Sequence, residues 1–568
     1  MNDELTIKIS GEAGQGMQTI GMALCRIFKK AGFYIFANHD YMSRIRGGNN
    51  FFQLRISKAP LHTLRDKSDI TIALDKPSIE IHRKGVSSGG IIVLDRNKFG
   101  ISYEDGLFFD TPLYKMAQDI GGEIFVNSVS CGVLAGMTGV DAGALKDGLK
   151  DIFSDKSEEV VKKNIDAAQA GYGFTILNFK DTRFRIEGGK PREMLLMNGN
   201  EAIALGAIRA GCKFYSAYPM TPSTSIMNFM AHYADRFNII VEQAEDEIAA
   251  INMIIGASFA GVRSMTSTSG GGFSLMVEGL SLAGMTETPI VVVDAQRPAP
   301  ATGFPTRTEQ SDLDFLLHAG HGEFARVIFS PGTIEEAFYL TLKAFNIAEK
   351  FQIPVLIMTD QHLADSYRNI DRLDTEKAKV QRHIISKEES KNITGYERYK
   401  LTESGISPRA IPSWIEDVIY ADSDEHTEAG HITEDADMRV KMVEKRFYKK
   451  MSGLSEDVES PTIFNVEGSN IVLVGYGSTY GVLKEASEKA RDKKVGFVHL
   501  SQVWPFPEEA VLRLLEGVKK VVTVENNAGS QLARLIRRQT GIKVTGSILK
   551  FDGRPFNLDF LKERISKE

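Results

Sequence analysis

The sequence predicts an α/β protein that contains three doubly wound or open parallel-sheet domains. In three stretches of the chain, short strand-like apolar runs alternate with longer segments of helical periodicity, which is the pattern of such sheets. The chain of 568 residues is longer than one hydrophobic core normally serves, so several domains are expected. The composition, 42% hydrophobic and 25% charged, is that of an ordinary globular protein and excludes a disordered or collagen-like chain.

Changes in periodicity and charge divide the chain into four segments. The first contains strand-like runs at Leu5–Ser10 and Phe51–Ile56, the second at Phe214–Ala217 and Ile290–Val293, and the last begins with the run Ile471–Val474. The third has weak periodicity and high charge, so we expect an extended connector or insert that contacts a partner or has a function. The predicted segments are 1–185, 190–365, 366–468 and 469–568.

Charge and cysteine content exclude several classes of protein. The 68 basic and 74 acidic residues give a net charge of −6 without a long basic block, which argues against nucleic acid as a partner. No apolar run approaches the roughly 20 residues of a membrane span, and the N-terminus lacks a secretory pattern, so we expect a cytoplasmic protein. Cys25, Cys131 and Cys212 are too few for a disulfide framework or a four-cysteine iron–sulfur site.

A glycine-rich turn, Gly11–Gly16, follows the first predicted strand and opens a helix. Backbone N–H groups in such a turn can hold a phosphate. As a dinucleotide fingerprint the turn has Thr19 in place of the third glycine, although Asp40 stands near the distance of a ribose-binding acid. A nucleotide site and a plain tight turn both remain open here. The segment Arg44–Asn50 likewise suits either phosphate and carboxylate oxygens or an ordinary hairpin tip.

Small polar residues follow three predicted strands of the second domain. The carboxyl ends of parallel strands are where open α/β sheets bind ligands. Hydroxyls and glycines favour close approach by a ligand, although the first segment could also cap a helix. In the last segment Arg307 could clamp a carboxylate or form a surface ion pair. The three segments are Tyr218–Ser225, Met265–Gly272 and Arg297–Gln310.

Two further clusters allow more than one interpretation. Glu242–Glu247 enters an apolar helix of small residues, where the acids could stabilise the helix dipole or one carboxyl could have a raised pKa. His426 and His431 could be metal ligands, but they lack a helical spacing, so we predict no metal site in this chain.

Taken in order and spacing, four motifs resemble the α subunit of 2-oxoacid:ferredoxin oxidoreductases. The resemblance extends over nearly the whole chain: the first segment resembles a γ domain, the second a thiamine-diphosphate pyrimidine-binding domain, and the last a transketolase C-terminal-like domain. The fused order and the segments 407–412 and 424–426 resemble the 2-oxoglutarate-type members most. The four motifs are Tyr-Pro-Met-Thr-Pro-Ser at 218–223, Glu-Asp-Glu-Ile-Ala-Ala at 245–250, Thr-Ser-Thr-Ser-Gly-Gly-Gly at 266–272 and Pro-Thr-Arg-Thr-Glu-Gln at 305–310.

The resemblance implies roles for individual residues. Glu247 matches the catalytic carboxyl that hydrogen-bonds the aminopyrimidine ring of the cofactor, and Glu245 is the second choice. Tyr218, Thr221 and Arg307 match the lining of the 2-oxoacid pocket, with Arg307 as the carboxylate anchor. Further cofactor contacts are expected at Ser223, Thr268 and Ser269. Contacts to coenzyme A or to another subunit are expected at Gly14, Gln15, Gly16, Arg46, Gly47 and Gly48.

The resemblance also implies an incomplete active site. The chain has no Gly-Asp-Gly motif followed by asparagine and too few cysteines for a cluster. A β subunit is therefore expected to supply the diphosphate site, Mg²⁺ and a [4Fe–4S] cluster, in an α₂β₂ assembly that shares thiamine diphosphate and reduces ferredoxin.

The expected reaction is the coenzyme A-dependent oxidative decarboxylation of a 2-oxoacid to acyl-CoA and CO₂. 2-Oxoglutarate is the preferred substrate, and pyruvate and branched-chain oxoacids are the alternatives. A regulatory module that binds NAD or another nucleotide through the first domain remains a different hypothesis, and a structural scaffold is a third.

Overall fold

The computed structural model describes residues 3–43, 47–101, 106–490 and 494–568. These residues form two compact units, each assembled from more than one stretch of chain. The first unit comprises Met1–Met197, Asp365–Arg372 and Phe556–Glu568, and the second comprises Asn198–Ala364 and Leu373–Pro555. All three sheets contain both parallel and antiparallel pairs, and the two sheets of the second unit are mostly parallel. Helices pack on the sheets, so the predicted α/β class is confirmed.

The described residues of the first unit form an eight-stranded sheet. Its neighbours are parallel from one edge as far as Glu4–Ala13 and antiparallel beyond that strand. The connection between Tyr34–Asp40 and Gly47–Ser57 is too short for the crossover that a parallel pair requires, so this half differs from the largely parallel sheet expected. In spatial order the strands are Phe108–Asp110, Val86–Leu94, Ser68–Ala73, Glu4–Ala13, Gly47–Ser57, Tyr34–Asp40, Tyr367–Ile370 and Leu195–Met197.

Close contact between two helices of the first unit depends on glycines. A Cβ at Gly132 would overlap the Ala168 carbonyl, and a Cβ at Gly171 would overlap the Val129 carbonyl. The apolar core that surrounds them is continuous with one face of the sheet. The α-helices of this unit are Met17–Lys30, Lys76–His82, Arg96–Phe99, Leu113–Ile120, Val126–Thr138, Ala142–Ile152, Glu158–Asn178 and Leu558–Lys567.

The second unit contains a seven-stranded sheet and a five-stranded sheet. Each is parallel except for one strand at an edge, Gln502–Trp504 in the larger sheet and Thr462–Phe464 in the smaller. The larger sheet has the order Gln502–Trp504, Val327–Phe329, Pro354–Asp360, Ile290–Gln296, Ser264–Thr268, Phe214–Ala217 and Ile240–Gln243. The smaller sheet has the order Thr462–Phe464, Val495–Leu500, Ile471–Tyr476, Lys520–Glu525 and Gly546–Leu549.

Helices cover the parallel strands of these two sheets, and the two apolar layers form one continuous core. The α-helices are Gly199–Arg209, Thr224–His232, Ala234–Phe237, Glu247–Phe259, Gly270–Met285, Leu313–His318, Ile334–Phe351, Gln361–Asp365, Lys387–Ser390, Ala436–Val443, Lys450–Ser455, Tyr480–Lys489, Glu508–Leu515 and Gln531–Thr540. A π-helical turn, Glu444–Lys449, joins two of them.

Three short strands belong to sheets that are formed mainly by other parts of the chain. Leu195–Met197 and Tyr367–Ile370 hydrogen-bond into the sheet of the first unit. Gln502–Trp504 extends the larger sheet of the second unit. Strands of three or four residues bury too few side chains to give a periodic signal, so the segment boundaries at 190, 366 and 469 do not coincide with the edges of these sheets.

Buried charges anchor the connector to the second unit. Lys445 and Lys450 both contact the carboxylate of Glu287, and all three side chains are excluded from solvent. Arg398 also donates to the Glu287 carbonyl, over 2.7 Å. Burial alone would raise the pKa of Glu287, but the two ammonium groups hold that pKa well below its ordinary value. Ion pairs therefore fasten the part of the connector around Lys445 and Lys450, whereas its two end strands, Tyr367–Ile370 and Thr462–Phe464, belong to sheets.

Other features bear on the expected absences. Among the described residues no single helix is long and apolar enough to cross a membrane. The bent pair Leu113–Ile120 and Glu123–Thr138 has the necessary length and composition only when its two helices are taken together. The three cysteines are buried and form no disulfide, and burial raises the pKa of each thiol.

Candidate active site

The polar segments identified in the sequence meet at one edge of the larger sheet in the second unit. Parallel pairing sets Ala217 beside Gln243 and Thr268 beside Asp294, at the carboxyl ends of neighbouring strands. The segments that leave these strands therefore start from the same edge. This edge is the usual position of a ligand site in an open α/β sheet.

Glu247 is the first residue of the helix Glu247–Phe259. The preceding Asp246 caps this helix by accepting a hydrogen bond from the Ala249 N–H over 2.7 Å, and the Glu247 side chain is only 3% exposed. Its Oε1 atom has no hydrogen-bond partner among the described residues. Burial raises the pKa of this carboxyl. A buried polar atom normally has a partner, so Glu247 is suited to hydrogen-bond a ligand.

Glu245, the second choice for the same role, is in a different environment. Its side chain is exposed to solvent, whereas Glu247 is buried two positions later. An exposed carboxylate is solvated and screened, so it has less influence on the proton of a ligand than a buried one. The geometry therefore favours Glu247 over Glu245.

The three consecutive glycines at 270–272 begin the helix Gly270–Met285, and they differ in their surroundings. A Cβ at Gly272 would overlap Glu247 Oε1 and Thr268 Oγ1, and a Cβ at Gly270 would overlap Asp312 Oδ2. Only at Gly271 is there space, with the nearest atom, the Ala301 carbonyl oxygen, 3.9 Å away. Two of the three glycines therefore make room for side chains of the chain itself, which differs from the ligand approach that the sequence suggested.

Gly272→Ala is expected to destabilise the protein by about 1–3 kcal/mol, because the added methyl group would displace the Glu247 carboxylate or the Thr268 hydroxyl. Urea unfolding of the full chain measures this change. Gly271→Ala is the matched control, since its Cβ enters open space and alanine is favourable in a helix. Equal stability of the two variants would contradict the packing role of Gly272.

The segment after Phe214–Ala217 is braced by the protein itself. The Ser223 hydroxyl donates to the Met220 carbonyl over 2.8 Å, and Arg297 donates to the Thr221 carbonyl over 2.7 Å. Ser223 occupies the N-cap position of Thr224–His232 but makes no side-chain capping bond. Ser223 thus keeps only lone pairs for a ligand, because its proton is used within the segment.

The other expected contact residues line the same region. Ser269 donates to Met220 Sδ over 2.8 Å, and Thr268 Oγ1 lies 3.8 Å from that sulfur. Both hydroxyl residues are buried, whereas Tyr218 is 41% exposed and Thr221 is half-buried. The Met220 side chain therefore connects its own segment, which bears Tyr218 and Thr221, to the strand end at Thr268.

The segment that bears Arg307 is held by the smaller sheet through one residue that the sequence analysis missed. Gln310 is fully buried, and its N–H donates to the Asn526 carbonyl over 2.7 Å. Its own carbonyl accepts from Asn527 Nδ2 at 3.1 Å and from the Tyr476 hydroxyl at 2.9 Å. The paired asparagines after the buried strand Lys520–Glu525 were a visible signal, but their target could not be read from sequence.

Arg307 itself is buried, and its side-chain stem packs near Gly553, where a Cβ would lie 3.3 Å from Arg307 Cβ. All the residues expected to bind substrate or cofactor belong to the second unit. Those residues are Tyr218, Thr221, Ser223, Glu247, Thr268, Ser269 and Arg307.

The glycine turn of the first unit is a separate feature. Gln15 Oε1 accepts from the Glu12 N–H over 2.9 Å, and Asn127 donates to the Gln15 carbonyl over 3.0 Å. Gly16 adopts φ 74° and precedes the helix Met17–Lys30 without a side-chain cap. Gly14 has no atom within 4 Å of an added Cβ, and Gly47 and Gly48 begin a strand. Arg46 lies outside the described residues.

The topology disfavours the dinucleotide interpretation of that turn. Asp40 ends the strand Tyr34–Asp40, which is separated from Glu4–Ala13 by the intervening strand Gly47–Ser57. In a dinucleotide fold the glycine turn and the ribose-binding acid belong to adjacent parallel strands. Asp40 is therefore one strand too far from the turn.

The two histidines considered as metal ligands pack against aromatic rings. The His426 ring lies 4.1 Å from that of Tyr399, and its Nδ1 is 3.0 Å from the Asp424 carbonyl. The His431 ring lies 4.3 Å from that of Tyr420. Within the described ranges no group of three or more potential metal ligands occurs.

Three family models match the chain. Residues 205–445 match the model "Pyruvate flavodoxin/ferredoxin oxidoreductase, thiamine diP-bdg", residues 6–174 match "Pyruvate ferredoxin/flavodoxin oxidoreductase", and residues 469–559 match "Pyruvate:ferredoxin oxidoreductase core domain II".

Relatives match over the whole chain or a large part of it. The 2-oxoacid:ferredoxin oxidoreductase subunit alpha of Sulfolobus sp. is 34% identical over 98% of this chain and 96% of its own length. The 2-oxoglutarate synthase subunit KorA of Archaeoglobus fulgidus is 34% identical over 63% of this chain and 96% of its own. The 2-oxoglutarate:ferredoxin oxidoreductase of Magnetococcus marinus, solved with 2-oxoglutarate, coenzyme A and succinyl-CoA bound, is 32% identical and superposes with a TM-score of 0.92 over 100% of both chains.

Proposed function

The chain belongs to the family of 2-oxoacid:ferredoxin oxidoreductase α subunits, and we propose that within such an enzyme its second unit binds the pyrimidine ring of thiamine diphosphate and the 2-oxoacid substrate. It is thus a subunit of an oxidoreductase. The single observation that carries the proposed site is the buried carboxylate of Glu247, whose Oε1 has no partner in the described chain.

The residues present fit an aminopyrimidine ring. A buried acid with a raised pKa can donate a proton to, or accept one from, a ring nitrogen, and Glu247 has both properties. When bound, thiamine diphosphate would supply the nucleophilic carbon and the electron sink for decarboxylation of a 2-oxoacid. Ser223, Thr268 and Ser269 would form the wall of the cofactor pocket beside Met220.

Tyr218, Thr221 and Arg307 would bind the substrate. Arg307 would pair with the carboxylate of the 2-oxoacid, because a guanidinium matches a carboxylate with two parallel hydrogen bonds. The clamp of Gln310 by Tyr476, Asn526 and Asn527 would keep the segment of Arg307 rigid, so little ordering would be needed when substrate binds.

Arg307→Lys is expected to raise KM for the 2-oxoacid about ten- to a hundredfold, because an ammonium cannot make the paired hydrogen bonds. Steady-state kinetics of the assembled enzyme measure KM and kcat separately. A KM within twofold of the wild-type value would argue against Arg307 as the anchor. Arg554→Lys, on the neighbouring turn, is the matched control.

The remaining parts of the proposal concern partners and substrate. A β subunit would complete the site with Mg²⁺ and a [4Fe–4S] cluster, ferredoxin would accept the electrons, and the assembly would be α₂β₂. The first unit would contact coenzyme A or another subunit through Gly14, Gln15, Gly16, Arg46, Gly47 and Gly48. 2-Oxoglutarate is the first choice of substrate, supported by the similar enzyme solved with 2-oxoglutarate bound, and pyruvate and branched-chain oxoacids are the alternatives.

Reconstitution tests this proposal directly. The chain is co-expressed with a candidate β subunit, and reduction of a viologen dye is followed for a panel of 2-oxoacids with coenzyme A. We expect thiamine diphosphate-dependent reduction that is fastest with 2-oxoglutarate. Fastest turnover of pyruvate would change the substrate assignment, and turnover by the α chain alone would refute the shared active site.

A further inference from the structure

Two aspartates beside the candidate active site have no role in the proposed function. Asp294 and Asp312 are 1% and 8% exposed. Both carboxylate oxygens of Asp294 and Oδ2 of Asp312 have no hydrogen-bond partner among the described residues. Burial and the negative charge of Asp312 both raise the pKa of Asp294. Three buried carboxylate oxygens therefore lack a donor, which is rare in a native protein.

The backbone places this pair close to Glu247. Asp294 lies beside Thr268 in the sheet, and the Asp312 N–H is fixed by a 3.0 Å hydrogen bond to Gln296 Oε1. Asp312 Oδ2 occupies the space that a Cβ at Gly270 would need, just as Glu247 Oε1 does at Gly272. The first turn of the helix Gly270–Met285 is thus in contact with the carboxyl groups of Asp312 and Glu247.

Charge balance limits how the pair can ionise. Two buried carboxylates that repel each other are unfavourable when both are charged, which favours the retention of one proton by the pair. Arg297 is the cation that acts on Asp312, so the pair and Arg297 together are neutral when one proton is shared. The negative charge of Asp312 also contributes to the raised pKa values of two other groups, Glu309 and Tyr476. Arg297 in turn donates to the Thr221 carbonyl over 2.7 Å.

We propose that Asp294 and Asp312 share one proton and form a positioning pair that holds Arg297 and, through Arg297, the segment of Thr221 in the 2-oxoacid pocket. The role in the pocket rests on the proposed function, whereas the shared proton does not. The proposed effect of the pair is on the geometry of the pocket. Burial raises the pKa of both carboxyls, that of Asp294 well above its ordinary value.

Infrared spectroscopy of the full chain at neutral pH tests the shared proton. The wild-type chain is expected to show the band of protonated carboxyls that shifts in D₂O, and Asp294→Asn is expected to lose the part of that band that the pair contributes. An Asp294→Asn spectrum that retains the whole band would overturn the proposal. Glu245→Gln is the matched control, because Glu245 is an exposed carboxyl outside the pair.

Unfolding as a function of pH gives a second readout. Because the folded pair binds a proton that the unfolded chain releases above about pH 4, its contribution to stability falls as pH rises from there to the folded pKa of the pair. In Asp294→Asn the slope of stability against pH should correspond to one fewer proton released on unfolding. An unchanged slope would contradict a shared proton.

Kinetics of the assembled enzyme test the positioning role. In Asp294→Asn the amide imitates the protonated partner, so KM for the 2-oxoacid should stay within about twofold of wild type and lose its rise at high pH. In Asp312→Asn the negative charge that attracts Arg297 is removed, so KM should rise tenfold or more while kcat changes less. Equal KM values and pH profiles in both variants would refute the role. If the wild-type complex turned over no 2-oxoacid, the proposed function would fail, while the infrared result would still decide the shared proton.

Discussion

Glu247→Gln is expected to lower kcat of the assembled enzyme by about 10²- to 10⁴-fold, the usual contribution of one general acid–base group. Glutamine fills the same space beside Gly272, but it cannot exchange a proton with a bound aminopyrimidine. The measurement is viologen reduction at saturating 2-oxoacid and coenzyme A. Isothermal titration with thiamine diphosphate then separates a loss of chemistry from a loss of cofactor binding.

Stability provides the internal control for this variant. Burial raises the pKa of Glu247, so its ionised form is unfavourable in the folded chain, and that penalty grows as pH rises from the unfolded carboxyl pKa of about 4 to the folded pKa, above which it stays constant. Glu247→Gln should therefore be as stable as the wild type or slightly more stable at neutral pH. Glu245→Gln, which changes an exposed carboxylate two residues away, should leave kcat unchanged. Near-normal turnover of Glu247→Gln would remove the basis of the proposed site.

Glu287→Gln is expected to reduce the free energy of unfolding by about 3–5 kcal/mol, the largest stability effect that we predict. The carboxylate of Glu287 is the shared partner of Lys445 and Lys450, and none of these side chains reaches solvent. Removing its charge would leave two ammonium groups buried without a counterion. Urea unfolding at neutral pH measures the loss, and limited proteolysis would show whether the part of the connector around Lys445 and Lys450 is released first.

The pH dependence of this effect has a defined sign. Because the pKa of Glu287 is held low, its contribution to stability is complete above the unfolded carboxyl pKa of about 4 and decreases as pH falls below that value. The wild-type chain should therefore lose stability in acid more steeply than Glu287→Gln. Glu488→Gln, in an i,i+4 pair with Lys484, should change stability by only about 0.3–0.5 kcal/mol. Similar losses in both variants would contradict the buried cluster.

The site was only partly predictable from sequence. The motif at 245–250 marked two glutamates, and the residues alone could not separate them. Burial in the folded chain separates them, because Glu247 is buried at the start of a helix whereas Glu245 is exposed. The glycines at 270–272 suggested room for a ligand, yet two of them accommodate Glu247 and Asp312. Contacts across the sheet are set by residues far apart in the chain, so local composition does not reveal them.

The sequence by itself determined the α/β class and the family, because alternating periodicity and ordered motifs are properties of contiguous residues. Only the tertiary structure decided the mixed sheet of the first unit, the buried pair Asp294 and Asp312, and the hold of Tyr476 and Asn526 on Gln310. Each of these depends on hydrogen bonds or charges between segments that lie far apart in sequence. Burial then fixes their strength, because a polar group that is removed from water must find its partner within the fold.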